Sequence, residues 1–358
     1  MRRFSVFWFV LCVAVIAFWT VLPPPSGWLE RVYGGLIYPA IAGVLVPLSG
    51  SLELPVTALL LGALVLLGVL GVTLSKNRRR GAAAFWRGLW RVWVTAVTVY
   101  ALFIVLWGAN YGKTPLETRL KLSTDEPDML ETVAMAEVLS NVLRQDFDAL
   151  ENWDDDLSAA KTSLNRVVVG LEGRPATLPR FIKRTPSGFL IFTGRATGIT
   201  VPWTLEAYID RALPYPFALA TALHETAHVA GYAGEAEADF VAALAGLTSD
   251  SAGVRYATAL PLFLRVGQNL QPERYQAILN YLPPKTSADI AAFSGVFARY
   301  RAPAAVAQVQ TRFYDSYLKS QRVGAGIDDY DRVIVLLMAA KRDELLDFNW
   351  EDTTLTLP

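Results

Sequence analysis

The stretch His224-Glu225-Thr226-Ala227-His228 contains both histidines of this 358-residue chain. The two histidines are four residues apart, about one turn of an α-helix, so both imidazoles leave the same helix face and can bind one metal ion. Between them, Glu225 offers a carboxylate that could take a proton from a water molecule activated by the metal. The stretch therefore predicts a helix that carries a zinc site, rather than a helix with two unrelated histidines.

The third zinc ligand should be a carboxylate. A catalytic zinc usually has three protein ligands and one water, and the chain has no third histidine. In one straight helix, Glu235 would lie about 10 Å along the axis from His228, which is too far for a ligand that must lie about 2 Å from the metal. Gly231 and Gly234 predict a break between two helices, because glycine adopts left-handed backbone angles at low cost.

Three acidic residues of the second helix compete for this role. Glu235 and Asp239 are four residues apart and share a helix face, whereas Glu237 points away from that face. We expect Glu235 to be the third ligand and Asp239 to accept a hydrogen bond from a histidine N–H, which fixes its tautomer. The alternative is that these acids only form a solvated helix start, which the helix dipole favours.

Charge divides the chain into two regions. Residues 1–111 contain nine basic and two acidic residues, a net charge of +7, and seven of the ten tryptophans. Residues 112–358 contain 24 basic and 31 acidic residues, a net charge of −7. The only cysteine, Cys12, excludes an intrachain disulfide. We therefore expect a membrane domain over 1–111 and a separate domain over 112–358.

Three uncharged apolar runs predict membrane-spanning helices at 4–22, 55–75 and 92–109. Each run is long enough to cross a hydrocarbon core of about 30 Å, and tryptophans lie near the ends of the runs, as in an interfacial belt. The first run is followed by Pro23-Pro24-Pro25 rather than by a small-residue cleavage site, which favours an uncleaved span over a signal peptide.

The segment 34–48 is apolar but short, and Pro39 and Pro47 interrupt it. The basic cluster at 76–91 and the pair Arg2-Arg3 should both be cytoplasmic, because basic residues flank spans on that side. Two membrane crossings between these basic segments leave both in the cytoplasm, whereas three crossings would place one of them outside. We therefore expect 34–48 to lie at the outer membrane surface, the N-terminus to be cytoplasmic and 112–358 to be extracytoplasmic. Because the basic cluster lies between two spans, nucleic-acid binding is not expected.

The domain at 112–358 is predicted to be α+β, with helices dominant. Amphipathic spacing predicts a helix over 128–150. Apolar stretches at 188–192 and 198–201 predict two strands, with 193–197 as a hairpin or loop between them. The motif helix begins near Phe217. Beyond it, helices are predicted over 236–248, 257–269, 272–281, 286–300, 302–321 and 328–346.

The chain also resembles known proteins. His-Glu-x-x-His followed by Glu-x-x-Ala-Asp is similar to the glutamate-zincin metallopeptidases, including membrane-embedded ones. A closer resemblance is to an uncharacterised bacterial family of membrane zincins, a domain of unknown function with three N-terminal transmembrane helices. This resemblance spans nearly the whole chain and is carried by Trp107-Gly-Ala-Asn-Tyr111 with Pro115-Leu116, Phe192-Thr193-Gly194, the string from His224 to Asp239, Tyr317-Leu318-Lys319 and Tyr330-Asp-Arg-Val333.

The resemblance implies a zinc-dependent peptidase fold in the bacterial cell membrane, with zinc as cofactor. It does not name a substrate beyond a peptide or protein. Members often have Leu at the position of Thr226 and Asn at that of Asp239, so this chain departs from the pattern twice. Zincins bind substrate along an edge strand near the motif helix, and 188–201 is the candidate by position. An oxyanion donor is also expected, and the sequence leaves Tyr232, Arg195, Tyr317 and Tyr330 open for this role.

These observations favour a membrane-anchored zinc metallopeptidase with Glu225 as general base, acting on peptide or protein substrates beside the lipid bilayer. One alternative is a non-catalytic zinc-binding interaction module at the outer membrane face, but a structural zinc site has no need of Glu225. Another is that the membrane helices carry the function, for instance in transport. The spans contain no acidic, basic or histidine residue, which argues against a path for ions or protons.

Overall fold

The computed structural model describes residues 2–73, 82–194, 196–320 and 332–343, together with 347–348 and 355–356. Residues 76–80, which contain much of the basic cluster, lie outside these ranges. A π-helical segment at 29–37 lies between two α-helical segments, so that 26–50 forms one continuous helical stretch. The helices of the N-terminal region are α1 (Arg2–Val21), α2 (Ser26–Trp28), the π-helical segment (Leu29–Ile37), α3 (Tyr38–Gly50), α4 (Val56–Thr73) and α5 (Ala82–Leu106).

Three helical stretches of the described residues are long and apolar enough to cross a membrane, namely Phe4–Val21, Ser26–Gly50 and Phe85–Leu106. Helix α4 is 18 residues long and contains no charged residue. The prediction that prolines keep 34–48 short is wrong. Pro39 directly follows the π-helical segment, and the helix continues past it and through Pro47 to its end.

The second region is a helical domain with two small sheets. Its elements after α5 are a 3-10 turn (Gly108–Gly112), α6 (Leu116–Leu120), α7 (Met129–Gln145), α8 (Trp153–Glu172), β1 (Lys183–Thr185), α9 (Phe189–Gly194), β2 (Gly198–Val201), β3 (Glu206–Asp210), α10 (Tyr215–Val229), α11 (Glu235–Leu247), α12 (Ala252–Gly267), α13 (Pro272–Leu279), α14 (Pro284–Tyr300), α15 (Ala304–Ser320), α16 (Arg332–Arg342), β4 (Asp347–Phe348) and β5 (Leu355–Thr356).

The motif helix α10 lies at the centre of this domain. It packs against α8, α11 and α12 on one side and against β2 and β3 on the other. Its residues Phe217, Leu219 and Ala222 are buried. Burial of these apolar side chains is the main contribution that stabilises the packing of the neighbouring helices on α10. The helix that carries both histidines is therefore part of the core.

Most of the predicted helices are confirmed. Those from α11 to α15 begin and end within five residues of their predicted limits. The helix predicted over 128–150 is shorter, since α7 begins with a capping box between Asp128 and Glu131 and ends at Gln145. Helix α16 occupies the described part of 328–346. Helix α8 and strand β3 were not predicted.

The strand predicted at 198–201 is confirmed as β2, but the strand predicted at 188–192 is wrong. Strand β2 pairs in antiparallel register with β3, on whose other side β1 lies parallel. Residues Phe189–Gly194 form α9 instead. The fully buried carboxylate of Asp210 accepts hydrogen bonds from the backbone N–H groups of Gly188 and Leu190, at 2.6 and 2.9 Å. This remote acceptor satisfies the start of a helix, which local apolar composition cannot reveal.

Candidate metal centre

A break between α10 and α11 builds the site. After α10 ends at Val229, Gly231 adopts a φ of +104°, which favours glycine. A Cβ at this position would also lie 2.8 Å from Cε1 of Tyr38. The predicted break is confirmed, but Gly234 has an ordinary extended conformation, so only Gly231 uses a backbone angle that favours glycine. Helix α11 then begins at Glu235 and faces the end of α10.

The structure brings His224, His228 and Glu235 together. Oε2 of Glu235 lies 3.3 Å from Nε2 of His224 and 3.4 Å from Nε2 of His228. The three ligand atoms all lie within 4.8 Å of one another. Two ligand atoms bound to a tetrahedral zinc at about 2.0–2.1 Å lie about 3.3–3.4 Å apart. The two short distances therefore fit two edges of a zinc coordination tetrahedron.

The acceptor atoms next to the two Nδ1 atoms direct a lone pair of each imidazole toward this centre, by a hydrogen bond at His228 and by an ion-pair contact at His224. Nδ1 of His228 lies 2.7 Å from the carbonyl oxygen of Tyr232, and Nδ1 of His224 lies 2.7 Å from Oδ1 of Asp239. A carbonyl and a carboxylate only accept hydrogen bonds, so Nδ1 carries the proton in each neutral ring. Both Nε2 lone pairs then face the Glu235 oxygen. Three acceptors at this spacing repel one another unless a cation or protons lie between them.

The electrostatics of the site favour positive charge. Burial would lower the pKa of His228, but the charge of Glu235 and its hydrogen bond outweigh this effect and raise it. Burial would raise the pKa of Glu235, but the two imidazoles lower it well below its usual value. A metal ion that binds here must therefore displace protons, as is usual for histidine sites.

Asp239 lies behind His224 and is itself held in place. Its Oδ2 accepts a hydrogen bond from Nη1 of Arg265 on α12, at 2.7 Å. Burial would raise the pKa of Asp239, but the charges of His224 and Arg265 lower it. Because the carboxylate stays ionised, it keeps the His224 ring oriented. Sequence reasoning did not find Arg265, which lies 26 residues away on another helix.

Glu225 is buried beside the edge strand β2. The hydroxyl of Thr200 lies 2.8 Å from Oε2 of Glu225 and 3.0 Å from its backbone carbonyl oxygen. A Cβ at Gly198 would lie 2.5 Å from Oε1 of Glu225, so the strand approaches this carboxylate closely. Burial raises the pKa of Glu225, although the histidine charges and the Thr200 hydrogen bond oppose the shift. A raised pKa is typical of a general base.

Two aromatic residues of the N-terminal region hold the end of the motif helix. Nε1 of Trp107 donates a hydrogen bond to the carbonyl oxygen of His228, at 3.3 Å. The Tyr38 hydroxyl donates one to the carbonyl oxygen of Val229, at 2.7 Å. Both carbonyls lie in the last turn of α10, beyond the regular helical hydrogen bonds, and that of His228 also accepts the backbone N–H of Gly231, at 2.9 Å. Neither contact was predicted, although Trp107 belongs to a string that carried the family resemblance.

Glu237 and Tyr232 point away from the metal centre. Oε1 of Glu237 accepts a hydrogen bond from the backbone N–H of Leu116, at 2.7 Å. The Tyr232 hydroxyl donates to Oε1 of Glu172, at 3.0 Å, and is therefore not the oxyanion donor that the sequence left open. Of the other three candidates, Arg195, Tyr330 and the Tyr317 side chain lie outside the described part of the molecule.

Fold and site together define a helical protein with membrane-type N-terminal helices and a candidate three-ligand metal centre. The chain belongs to the family described as "Protein of unknown function (DUF3810)", whose model matches residues 33–338. This is an uncharacterised domain family, as the resemblance in the sequence implied. No curated protein and no solved structure matches the chain significantly.

Proposed function

We propose that this protein is a zinc-dependent metallopeptidase in which His224, His228 and Glu235 hold the metal and Glu225 is the general base. The observation that carries the proposal is the convergence of two imidazole Nε2 atoms on one carboxylate oxygen at tetrahedral spacing. Within the described residues, no further histidine, cysteine or carboxylate joins these three side chains as a fourth ligand. Three ligands leave one coordination position for a reactant, as in catalytic rather than structural zinc sites.

The residues around the metal fit peptide hydrolysis. Zinc, when bound, supplies a Lewis acid that polarises the scissile carbonyl and makes a water molecule more acidic. Glu225 accepts the proton of the attacking water and passes it to the leaving nitrogen as the C–N bond breaks. The Thr200 hydroxyl and the backbone at Gly198 fix the position of this carboxylate. Strand β2 is an edge of its sheet, so a substrate can add to it as a further strand.

The proposed activity is tested by zinc analysis and proteolysis of a peptide library with the purified full-length protein. Wild type should bind one zinc per chain and cleave the library. Glu225→Gln should bind the same amount of zinc and lose about 100- to 10,000-fold in rate, the usual contribution of a general base. Zinc binding without cleavage by wild type would instead support the non-catalytic interaction module.

Gly198→Ala should also impair cleavage without removing the metal. The new Cβ would lie 2.5 Å from Oε1 of Glu225 and 2.7 Å from Cγ2 of Thr221, so the carboxylate must shift. A displacement of about 1 Å at a catalytic group can cost about 100-fold in rate. The matched control is Gly194→Ala, whose Cβ would meet only the Cβ of Ala196 at 3.8 Å. Equal rates for the two variants would contradict the assigned role of Glu225.

The proposed topology places the second domain outside the cytoplasm, with α1, α4 and α5 as the three spans. Three helix ends meet this domain. Trp19 near the end of α1 belongs to the main buried core. At the start of α4, Glu206 accepts a hydrogen bond from the backbone N–H of Val56 at 2.9 Å. Trp107, directly after α5, contacts His228.

The stretch Ser26–Gly50 fits a position on the same side of the membrane. Near its start, Glu30 forms an ion pair with Arg119 at 2.9 Å. Near its end, the Ser49 hydroxyl donates to the carbonyl oxygen of Thr204 at 2.5 Å. Because both ends contact the second domain, the stretch lies along that domain and does not cross the bilayer. Its length and composition alone would permit a crossing.

Thiol labelling checks this topology. A cysteine in place of Ser158, which is exposed on α8, should react with an impermeant reagent in intact cells. A cysteine in place of Asn77, within the basic segment, should react only after lysis. Wild type is the background control, since its single Cys12 is buried. Labelling of the Ser158 variant only after lysis would place the domain in the cytoplasm.

A further inference from the structure

The end of strand β2 reaches toward the membrane. Trp203, in the turn between β2 and β3, donates from Nε1 to the carbonyl oxygen of Val99 at 3.0 Å and packs against Phe103. Val99 lies seven residues before the end of α5 at Leu106, or about 10 Å along the helix axis. The turn at Trp203 therefore contacts α5 inside the apolar stretch Phe85–Leu106, and not only at its end. Tryptophan is typical of this interfacial depth.

The pairing of the strands places the end of β2 at the same depth relative to the membrane. Val201, the last residue of β2, pairs with Glu206 of β3. Glu206 also accepts hydrogen bonds from the backbone N–H groups of Val56 and Thr57, at 2.9 and 2.7 Å. These are the first residues of α4, whose leucines are exposed on all sides in this chain. Strand β2 therefore ends beside the first turn of α4, where this apolar helix begins.

Helix α3 packs against the end of the motif helix and has an exposed apolar surface on its opposite side. On its outer side, the exposed fractions of Val44 and Leu48 are 59% and 66%. On its inner side, Tyr38 donates to the carbonyl oxygen of Val229, next to His228. An apolar outer face of this kind suits contact with lipid. The thickness of α3, roughly 10 Å, then separates the end of the motif helix from the lipid surface.

From these placements, and resting on the proposed function, we propose that the substrates are polypeptides anchored in the same membrane and cleaved close to the bilayer surface. A peptide paired with β2 passes Thr200, beside Glu225, and reaches the level of Trp203 within three residues, or about 10 Å at 3.3 Å per residue. The exposed Ile199 and Trp203 along this path suit apolar side chains, which are typical of segments that emerge from a membrane. Anchoring in the same bilayer also raises the effective concentration of the substrate.

The test uses the full-length protein reconstituted in liposomes and one random peptide library in three forms. The library is free, joined directly to a transmembrane helix, or joined to that helix through a glycine–serine spacer with a mean reach of about 30 Å. Directly anchored library should be cleaved at least 10-fold faster than the spaced form. Both anchored forms are confined to the membrane, so this difference reports the distance of the cleaved bond from the bilayer.

The outcomes separate the two proposals. Cleavage of the free or spaced library as fast as the directly anchored one overturns the membrane-anchored substrate class and leaves the peptidase intact. Cleavage of no form overturns the peptidase, and the substrate class with it. Glu225→Gln in the same liposomes gives the blank rate. Mapping of the cleaved bonds by mass spectrometry should place them within the library residues nearest the membrane helix.

Discussion

His228→Ala should abolish stoichiometric zinc binding. In the proposed zinc site His228 supplies one of three ligand atoms, and its Nε2 lies 3.4 Å from the Glu235 oxygen. Structural zinc sites with four ligands bind with about 10–16 kcal/mol, which corresponds to about 2.5–4 kcal/mol for each ligand. Loss of one ligand should therefore reduce affinity roughly 70- to 900-fold. Metal analysis after dialysis against a weak chelator measures this directly.

A second variant separates ligation from folding. The His228 ring also bonds the carbonyl oxygen of Tyr232, and an unsatisfied buried acceptor costs about 1–3 kcal/mol. His228→Gln retains a donor of similar reach but not the imidazole nitrogen, so it should fold better than His228→Ala and still lose the metal. Glu225→Gln is the positive control and should retain zinc. Stoichiometric zinc in a folded His228→Ala protein would show that the metal site is assigned to the wrong residues.

The convergence of His224, His228 and Glu235 could be predicted because it depends on local sequence. The spacing of His224 and His228 defines a helix face, and a glycine after them allows the chain to turn back so that Glu235 faces that helix. These relationships depend only on helix periodicity and backbone freedom, which short stretches of sequence contain. The same reasoning placed most helices of the second domain.

The supporting contacts could not be predicted because they join remote parts of the chain. Tyr38 contacts Val229 across 191 residues, and Trp107 contacts His228 across 121. Such pairs are determined by how helices pack, and a single sequence does not encode their partners at a readable spacing. The incorrect prediction of a strand at 188–192 has the same cause. Helix α9 forms there because Asp210, about 20 residues further on, accepts a hydrogen bond from the backbone N–H of Leu190.

The length of the 26–50 helix was underestimated for a related reason. Pro39 and Pro47 predict an interruption, but both lie within the continuous helical stretch. Inside a helix, proline removes one hydrogen bond and usually kinks or breaks the chain. Here the buried residues Tyr38, Ala42 and Val46 pack one face of the helix on the domain. Tertiary packing thus outweighs the local cost at Pro47.

Substitution of the three acidic residues of α11 should give three different results. Glu235→Ala should lose zinc to the same extent as His228→Ala, because its Oε2 faces both imidazoles. Asp239→Ala should lower zinc affinity by about 10- to 100-fold, the usual effect of removing a residue that orients a ligand. Its carboxylate lies 2.7 Å from Nδ1 of His224 and is held by Arg265.

Glu237→Ala should retain zinc and lower the thermal stability of the protein. Its carboxylate accepts the backbone N–H of Leu116, and loss of this partner should cost about 1–3 kcal/mol. The matched control is Glu137→Ala, which removes a more exposed carboxylate whose nearest ion-pair distance, to Arg274, is 3.8 Å, and which should change neither property. Zinc titration and thermal unfolding of the four variants distinguish the roles. If Glu237→Ala lost the metal while Glu235→Ala retained it, α11 would have to present a different face to the histidines than the one described.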